Sequence, residues 1–171
     1  ALQPLSPYAV AKSAAFWMVK NYRESFGVKA SNGILTNHES PLRGPDFVTQ
    51  KIITGLLGIA AGKRETLSLG STTISRDWLW ADDVAEAVAA ITGAPQPGDY
   101  IVASGKSSTL DEFVTKACDK LNLNPGKVIT HDESLFRPSD IENISLNPAK
   151  AAQQLGWSAR YDLDSIVSAL L

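Results

Sequence analysis

The sequence predicts an α/β layered fold, and three observations carry that expectation. Helical and strand patterns alternate along the chain at short spacing. The composition, 44% hydrophobic and 20% charged over 171 residues, supports a buried core and excludes a disordered chain. The strand candidates are too few and too scattered to complete a doubly wound sheet by themselves, so the expected architecture is half of such a fold.

The elements follow in order. Ser6-Pro7 places a capping hydroxyl beside a proline at the first helical position. The helix opened there runs to about Phe26 and stops at Gly27. Val28 to Thr36 reads as a short buried strand, and Asn37 to Asp46 as a polar loop. Phe47 to Ala61 is helical and Gly62 ends it. Thr66 to Leu69 and Thr72 to Ser75 flank Gly70-Ser71 in a hairpin-like pattern. Ala81 to Ile91 is a helix, and Gly93 to Gly98, with two prolines and two glycines, is a linker. Tyr100 to Ala103 is a strand. Thr109-Leu-Asp-Glu112 is a capping box that opens a helix to Leu121. Lys127 to Thr130 is a strand candidate, Asn147-Pro148 starts a helix ended by Gly156, and Asp162 starts the last one.

Charge and cysteine usage exclude several functions. A net charge of −2 offers no basic field for nucleic acid or an anionic membrane. One cysteine, Cys118, makes neither an intramolecular disulfide nor a thiolate metal cage, and a reducing, cytoplasmic setting is expected. His131-Asp-Glu133 lacks a third ligand and reads as a loop, so no metal is expected. No stretch approaches the roughly 18 apolar residues of a membrane span. Ala1-Leu-Gln-Pro-Leu-Ser-Pro7 resembles the interior of a protein rather than a leader, which leads us to expect further chain upstream.

Tyr8 and Lys12 lie four residues apart in the first turns of the first helix and share one face. Such a pair suits acid–base work, because an ammonium and a helix amino terminus both favour a phenolate. The spacing alone is a weak signal that ordinary surface residues also satisfy; the adjoining Ser6-Pro7 cap strengthens it by fixing both side chains.

Longer runs carry more information. Ser6-Pro-Tyr-Ala-Val-Ala-Lys12, Asn21-Tyr-Arg-Glu-Ser25 and Asn32-Gly-Ile-Leu-Thr-Asn-His-Glu-Ser-Pro-Leu-Arg-Gly44 resemble the GDP-mannose 4,6-dehydratases. These belong to the extended short-chain dehydrogenase/reductases. Phe47-Val-Thr49 with Lys51-Ile52, Leu69-Gly70, Arg76-Asp-Trp78, Phe136-Arg-Pro138 and Leu155-Gly-Trp157 extend the resemblance over nearly the whole chain.

The resemblance implies the carboxyl-terminal part of an extended Rossmann-type fold. Residues 1–36 would complete the dinucleotide-binding domain, and residues 37–171 would be mainly a sugar-nucleotide-binding lobe, with 72–104 returning to the sheet. It implies that Tyr8 takes a proton from the sugar 4-hydroxyl while hydride passes to NADP, and that Lys12 assists it and holds the nicotinamide ribose. His38 and Arg43 would touch NADP. Asn37, Val48, Lys51, Gly70, Arg76, Arg137 and Asp140 would hold the GDP-mannose substrate. A homodimer or homotetramer is the implied assembly.

The residues taken individually permit blander roles. His38 would order its loop; Arg43 and Arg76 would pair with Asp46 and Asp77; Arg137 would satisfy backbone carbonyls. Trp78, Trp80 and Trp157 read as packing, and Cys118 as an inert buried thiol. Departures from the family pattern are concrete. No G-x-x-G-x-x-G occurs in these 171 residues, nor do the family's dehydrating Thr and Glu. Gln50 stands where the family has a basic residue, and Asp140 replaces the usual Glu after Arg-Pro. A dehydratase fragment is therefore the first expectation. A non-catalytic sugar-nucleotide-binding lobe, or part of a related epimerase or reductase, are the alternatives.

Overall fold

A computed structural model describes residues 4–135 and 141–171. The Ser6 hydroxyl accepts the Ala9 N–H at 3.1 Å, so the cap legible in the sequence is made. Helix α1 (Pro7–Phe26) ends at Gly27, whose φ of 66° places it in the left-handed region where glycine carries no Cβ penalty. Strand β1 (Asn32–Leu35) follows, then β2 (Asn37–Glu39), α2 (Val48–Ala60), β3 (Leu67–Leu69), β4 (Ser75–Trp80) and α3 (Ala81–Gly93). The second half runs β5 (Asp99–Val102), β6 (Ser107–Thr109), α4 (Leu110–Lys120), the single turn α5 (Pro125–Val128), β7 (Ile129–His131), a 3-10 turn at Glu133–Leu135, α6 (Ala149–Leu155) and α7 (Leu163–Leu170).

The strands form three small sheets among the described residues. β1 pairs in parallel with β5, β2 in parallel with β4, and β3 in parallel with β7, while β6 lies antiparallel to β4. Two expectations are corrected. Residues 37–39 are a strand, not the start of a loop, because their backbone completes a ladder with Trp78, Leu79 and Trp80. The hairpin at Gly70-Ser71 does not form: Leu67–Leu69 instead pairs with Ile129–His131, and Ser75 onward joins a different sheet.

β4 divides two cores. Its side chains alternate between faces. Trp78 and Trp80 enter the core made by Ile52, Leu56, Leu69, Phe113 and Ile166, whereas Leu79 enters that of Val84, Ile91, Tyr100, Val102 and Trp157. The Trp78 ring lies 5.5 Å from that of Phe113, and Trp80 stacks on Tyr161 at 5.3 Å. Trp157 donates its indole N–H to the Asp83 carbonyl at 2.9 Å. All three tryptophans are packing residues, as expected. Cys118 is wholly buried, and burial raises its thiol above the ordinary range, which suits an inert role.

Helix α1 buries none of its residues; Trp17, Met18, Tyr22 and Phe26 are all exposed. Polar contacts hold it to the β1–β5 pair. Arg23 Nη2 donates to both Asp99 oxygens, at 2.9 and 3.0 Å, and Nη1 donates to the Ala30 carbonyl. The Asn32 amide bridges Asp99 and the Phe16 carbonyl. Burial alone would raise the Asp99 carboxyl, but the bonds from Asn32 and Arg23 outweigh it and hold it below its usual value. A carboxyl depressed in the folded state contributes stability above its unfolded value, and that stability is lost as pH falls through the folded value. Amide exchange in α1 is therefore expected to accelerate below about pH 4. Asp99→Asn should accelerate it at neutral pH and remove the acid dependence. An acid dependence unchanged in Asp99→Asn would contradict this.

Candidate functional site

Tyr8 and Lys12 occupy the first turns of α1, one helical turn apart. The Lys12 ammonium lies 5.5 Å from the centre of the Tyr8 ring, and the ring is 72% exposed. The two groups therefore meet on an open face rather than behind packing. The capped amino terminus of α1 fixes the backbone that carries them.

A second group gathers where β1 passes into β2 and the chain turns toward α2. Asn37 is half-buried in β2, opposite Trp78. His38 is exposed, and its Nδ1 lies 3.0 Å from the Thr36 carbonyl. A carbonyl only accepts, so Nδ1 is the donor in this contact. Next in the strand, Glu39 is 0% exposed. One carboxylate oxygen accepts from Arg43 at 2.9 Å and the other from the Thr49 hydroxyl at 2.6 Å. Desolvation raises this carboxyl despite the opposing pull of Thr49 and Arg43. Arg43 also donates to the His38 carbonyl and lies over Phe47, its Cζ 4.1 Å from the ring centre. The partner of Arg43 is thus Glu39, not the Asp46 that the sequence offered. Gln50 ties α2 to the same loop through the Ser40 carbonyl at 3.0 Å.

A third group meets described residues near Asp132, Leu135 and Ile141. Val48 and Lys51 lie on the first turns of α2, and the Lys51 charge helps Ser134 lower the Asp132 carboxyl; the Ser134 hydrogen bonds are the larger cause. Arg76 is half-buried and donates to the Ser75 and Ile141 carbonyls at 2.8 and 2.6 Å. Its neighbour Asp77 does not pair with it; Asp77 accepts the Ser104 and Gly105 N–H groups instead. Gly70 abuts Leu135. A Cβ added at Gly70 would fall 2.9 Å from the Leu135 carbonyl oxygen, a backbone atom with little freedom to give way. Gly70→Ala is expected to cost about 1–3 kcal/mol as overpacking, read as a lower midpoint of urea unfolding; an unchanged midpoint would contradict the close contact. Arg137 and Asp140 lie outside the described residues.

Lys51, Gly70 and Arg76 thus meet residues on either side of the 136–140 segment. His38 and Arg43 share one loop, and Tyr8 and Lys12 share one helix face. Sequence reasoning gave Glu39 and Thr49 no role and offered Asp77 only as a partner for Arg76. A carboxylate in a strand that stays fully buried was the missing signal for Glu39, and only the fold reveals it.

A family model described as GDP-mannose 4,6 dehydratase matches residues 1–170. The chain belongs to that family. Among curated GDP-mannose 4,6-dehydratases, one from Arabidopsis thaliana is 40% identical over 168 residues, covering 98% of this chain and 45% of that protein. One from Dictyostelium discoideum is 38% identical over 185 residues, covering 98% of this chain and 52% of that protein. The chain spans about half the length of the GDP-mannose 4,6-dehydratases it matches. Among solved structures, RMD from Pseudomonas aeruginosa complexed with NADPH superposes with a TM-score of 0.88 at 21% identity, covering all of this chain and 56% of that one. The dTDP-glucose 4,6-dehydratase of Bacillus anthracis in complex with NAD gives 0.83 at 20% identity, covering 99% and 53%. The fold is accordingly that of the extended Rossmann-type dehydratases and epimerases. Among the described residues no helix is long and apolar enough to cross a membrane.

Proposed function

We propose that this chain supplies the catalytic tyrosine–lysine helix and most of the sugar-nucleotide site of an enzyme converting GDP-mannose to GDP-4-keto-6-deoxymannose. The observation that carries the reading is the Lys12 ammonium beside the exposed Tyr8 phenol on a capped helix. In this reading Tyr8 removes the proton of the sugar 4-hydroxyl, and Lys12 favours its phenolate. Asn37, Val48, Lys51, Gly70, Arg76, Arg137 and Asp140 hold the GDP portion; guanidinium forks and an ammonium suit a diphosphate. Residues 1–36 belong to the dinucleotide-binding domain, and the parallel β1–β5 pairing supports the return of 72–104 to its sheet.

The residues present fit a dinucleotide. Lys12, His38 and Arg43 offer two cations and an imidazole, and among the described residues Arg43 Nε is the one buried side-chain donor left without a partner. Bound there, NADP would accept hydride from the sugar and return it. The apolar exposed face of α1 supports self-association into a homodimer or homotetramer, and the single cysteine supports a reducing, cytoplasmic setting.

Sequence composition favours a second reading for the chain by itself. Lacking a glycine-rich phosphate loop and the dehydrating Thr and Glu, it would bind a GDP-sugar without turning it over. The test compares this chain with a protein extended upstream to the length of its relatives, each given GDP-mannose and NADP. The extended protein should release a keto sugar nucleotide that has lost water, and the 171-residue chain should release none. Turnover by the short chain, or an extended protein whose product retains the water, as an epimerase would give, would overturn the proposal.

A further inference from the structure

We infer that Glu39 is a positioning residue for the nicotinamide dinucleotide, acting through Arg43; the inference rests on the cofactor reading of Arg43 given above. Glu39 is fully enclosed, and each of its oxygens has one partner, Arg43 on the turn after β2 and Thr49 in the first turn of α2. The carboxylate therefore fastens the 40–47 loop to α2 from beneath. Arg43 is gripped on several sides. One nitrogen is shared between Glu39 and the His38 carbonyl, and one face is covered by Phe47. Only 18% of the Arg43 side chain is exposed, and its buried Nε is left without a partner among the described residues.

An arginine held this way meets a phosphate or ribose oxygen without first losing rotamer freedom, so the ordering cost of binding falls. The same grip fixes His38, because its carbonyl accepts from Arg43 while its ring bonds back to Thr36. Glu39 itself is sealed from any ligand and contributes no contact of its own.

The test is a double-mutant cycle in the extended protein, with NADPH and GDP affinities measured separately by calorimetry. Glu39→Gln keeps the side-chain shape and removes the charge. It should weaken NADPH binding about tenfold, the size of one charge-assisted hydrogen bond, and leave GDP affinity unchanged. Arg43→Gln should weaken NADPH at least as much, and the double variant should be no weaker than Arg43→Gln alone. Additive losses, or a folded Glu39→Gln with normal NADPH affinity, would overturn the inference while leaving the cofactor reading intact. Arg43→Gln with normal NADPH affinity would remove that reading and the inference together. Should Glu39→Gln fail to fold, Thr49→Val, which deletes only the 2.6 Å bond, takes its place in the cycle with a smaller loss expected and the same criterion of non-additivity.

Discussion

Tyr8→Phe is expected to lower kcat of the extended enzyme about 10³-fold while leaving GDP affinity unchanged. The substitution removes one oxygen from a ring that is 72% exposed and supports no core, so the fold has no reason to respond. On the proposed reading the loss falls on proton removal, since the phenol, with the Lys12 ammonium 5.5 Å from its ring centre, would be the acid–base group. Lys12→Met should cost about 10²-fold, since the phenol remains but its neighbouring charge does not. Rates and GDP dissociation constants measured on the same preparations separate chemistry from binding. A Tyr8→Phe enzyme with more than a tenth of normal turnover would remove Tyr8 from the chemistry.

The largest stability effect is expected at Asp77. This carboxylate is 1% exposed, and its two oxygens accept the consecutive Ser104 and Gly105 N–H groups at 2.8 Å each. The turn requires Gly105 at a φ of 76°, where other residues are strained. Thr36, between β1 and β2, adds a longer contact at 3.4 Å. Asp77 thereby joins β4 to the β5–β6 turn at the point where Arg76 enters the candidate substrate site. Asp77→Ala removes two charge-assisted hydrogen bonds and should cost about 3 kcal/mol, which in a domain of this size lowers Tm by about 10 °C. Asp77→Asn keeps one acceptor and should lose about half as much. A Tm within about 2 °C of the parent protein for Asp77→Ala would show that water replaces the carboxylate at little cost.

Local signals in the sequence anticipated local structure. Ser6 caps α1, Thr109 and Glu112 form their reciprocal capping box, and Gly27 and Gly156 end helices in the left-handed region. Pairings between distant segments were beyond such signals. Leu67–Leu69 and Thr72–Ser75 looked like a hairpin because two short runs flank Gly70-Ser71, yet β3 takes its partner from about sixty residues further on. Asn37–Glu39 is polar throughout and shows no alternation, so only its ladder with β4 identifies it as a strand. β4 itself shows no apolar–polar alternation at Trp78-Leu79-Trp80 because both of its faces are buried, each in a different core. At the site, the motif supplied the candidate residues, whereas the buried Glu39 clamp depended on knowing which residues enclose it. The candidate roles of Arg137 and Asp140 remain sequence-based, as both fall outside the described residues.

Isotope transfer tests the central claim most directly. GDP-mannose carrying deuterium on C4 would be given to the extended enzyme in ordinary water, and the product examined by proton NMR. If Tyr8 opens the reaction by deprotonating the 4-hydroxyl, C4 gives up its deuterium as hydride and the label returns within the same active site. It should then be found on C6 of the 4-keto-6-deoxy product and be absent when Tyr8→Phe is used. A product whose deuterium is still on C4, or has been lost to solvent, would contradict the account.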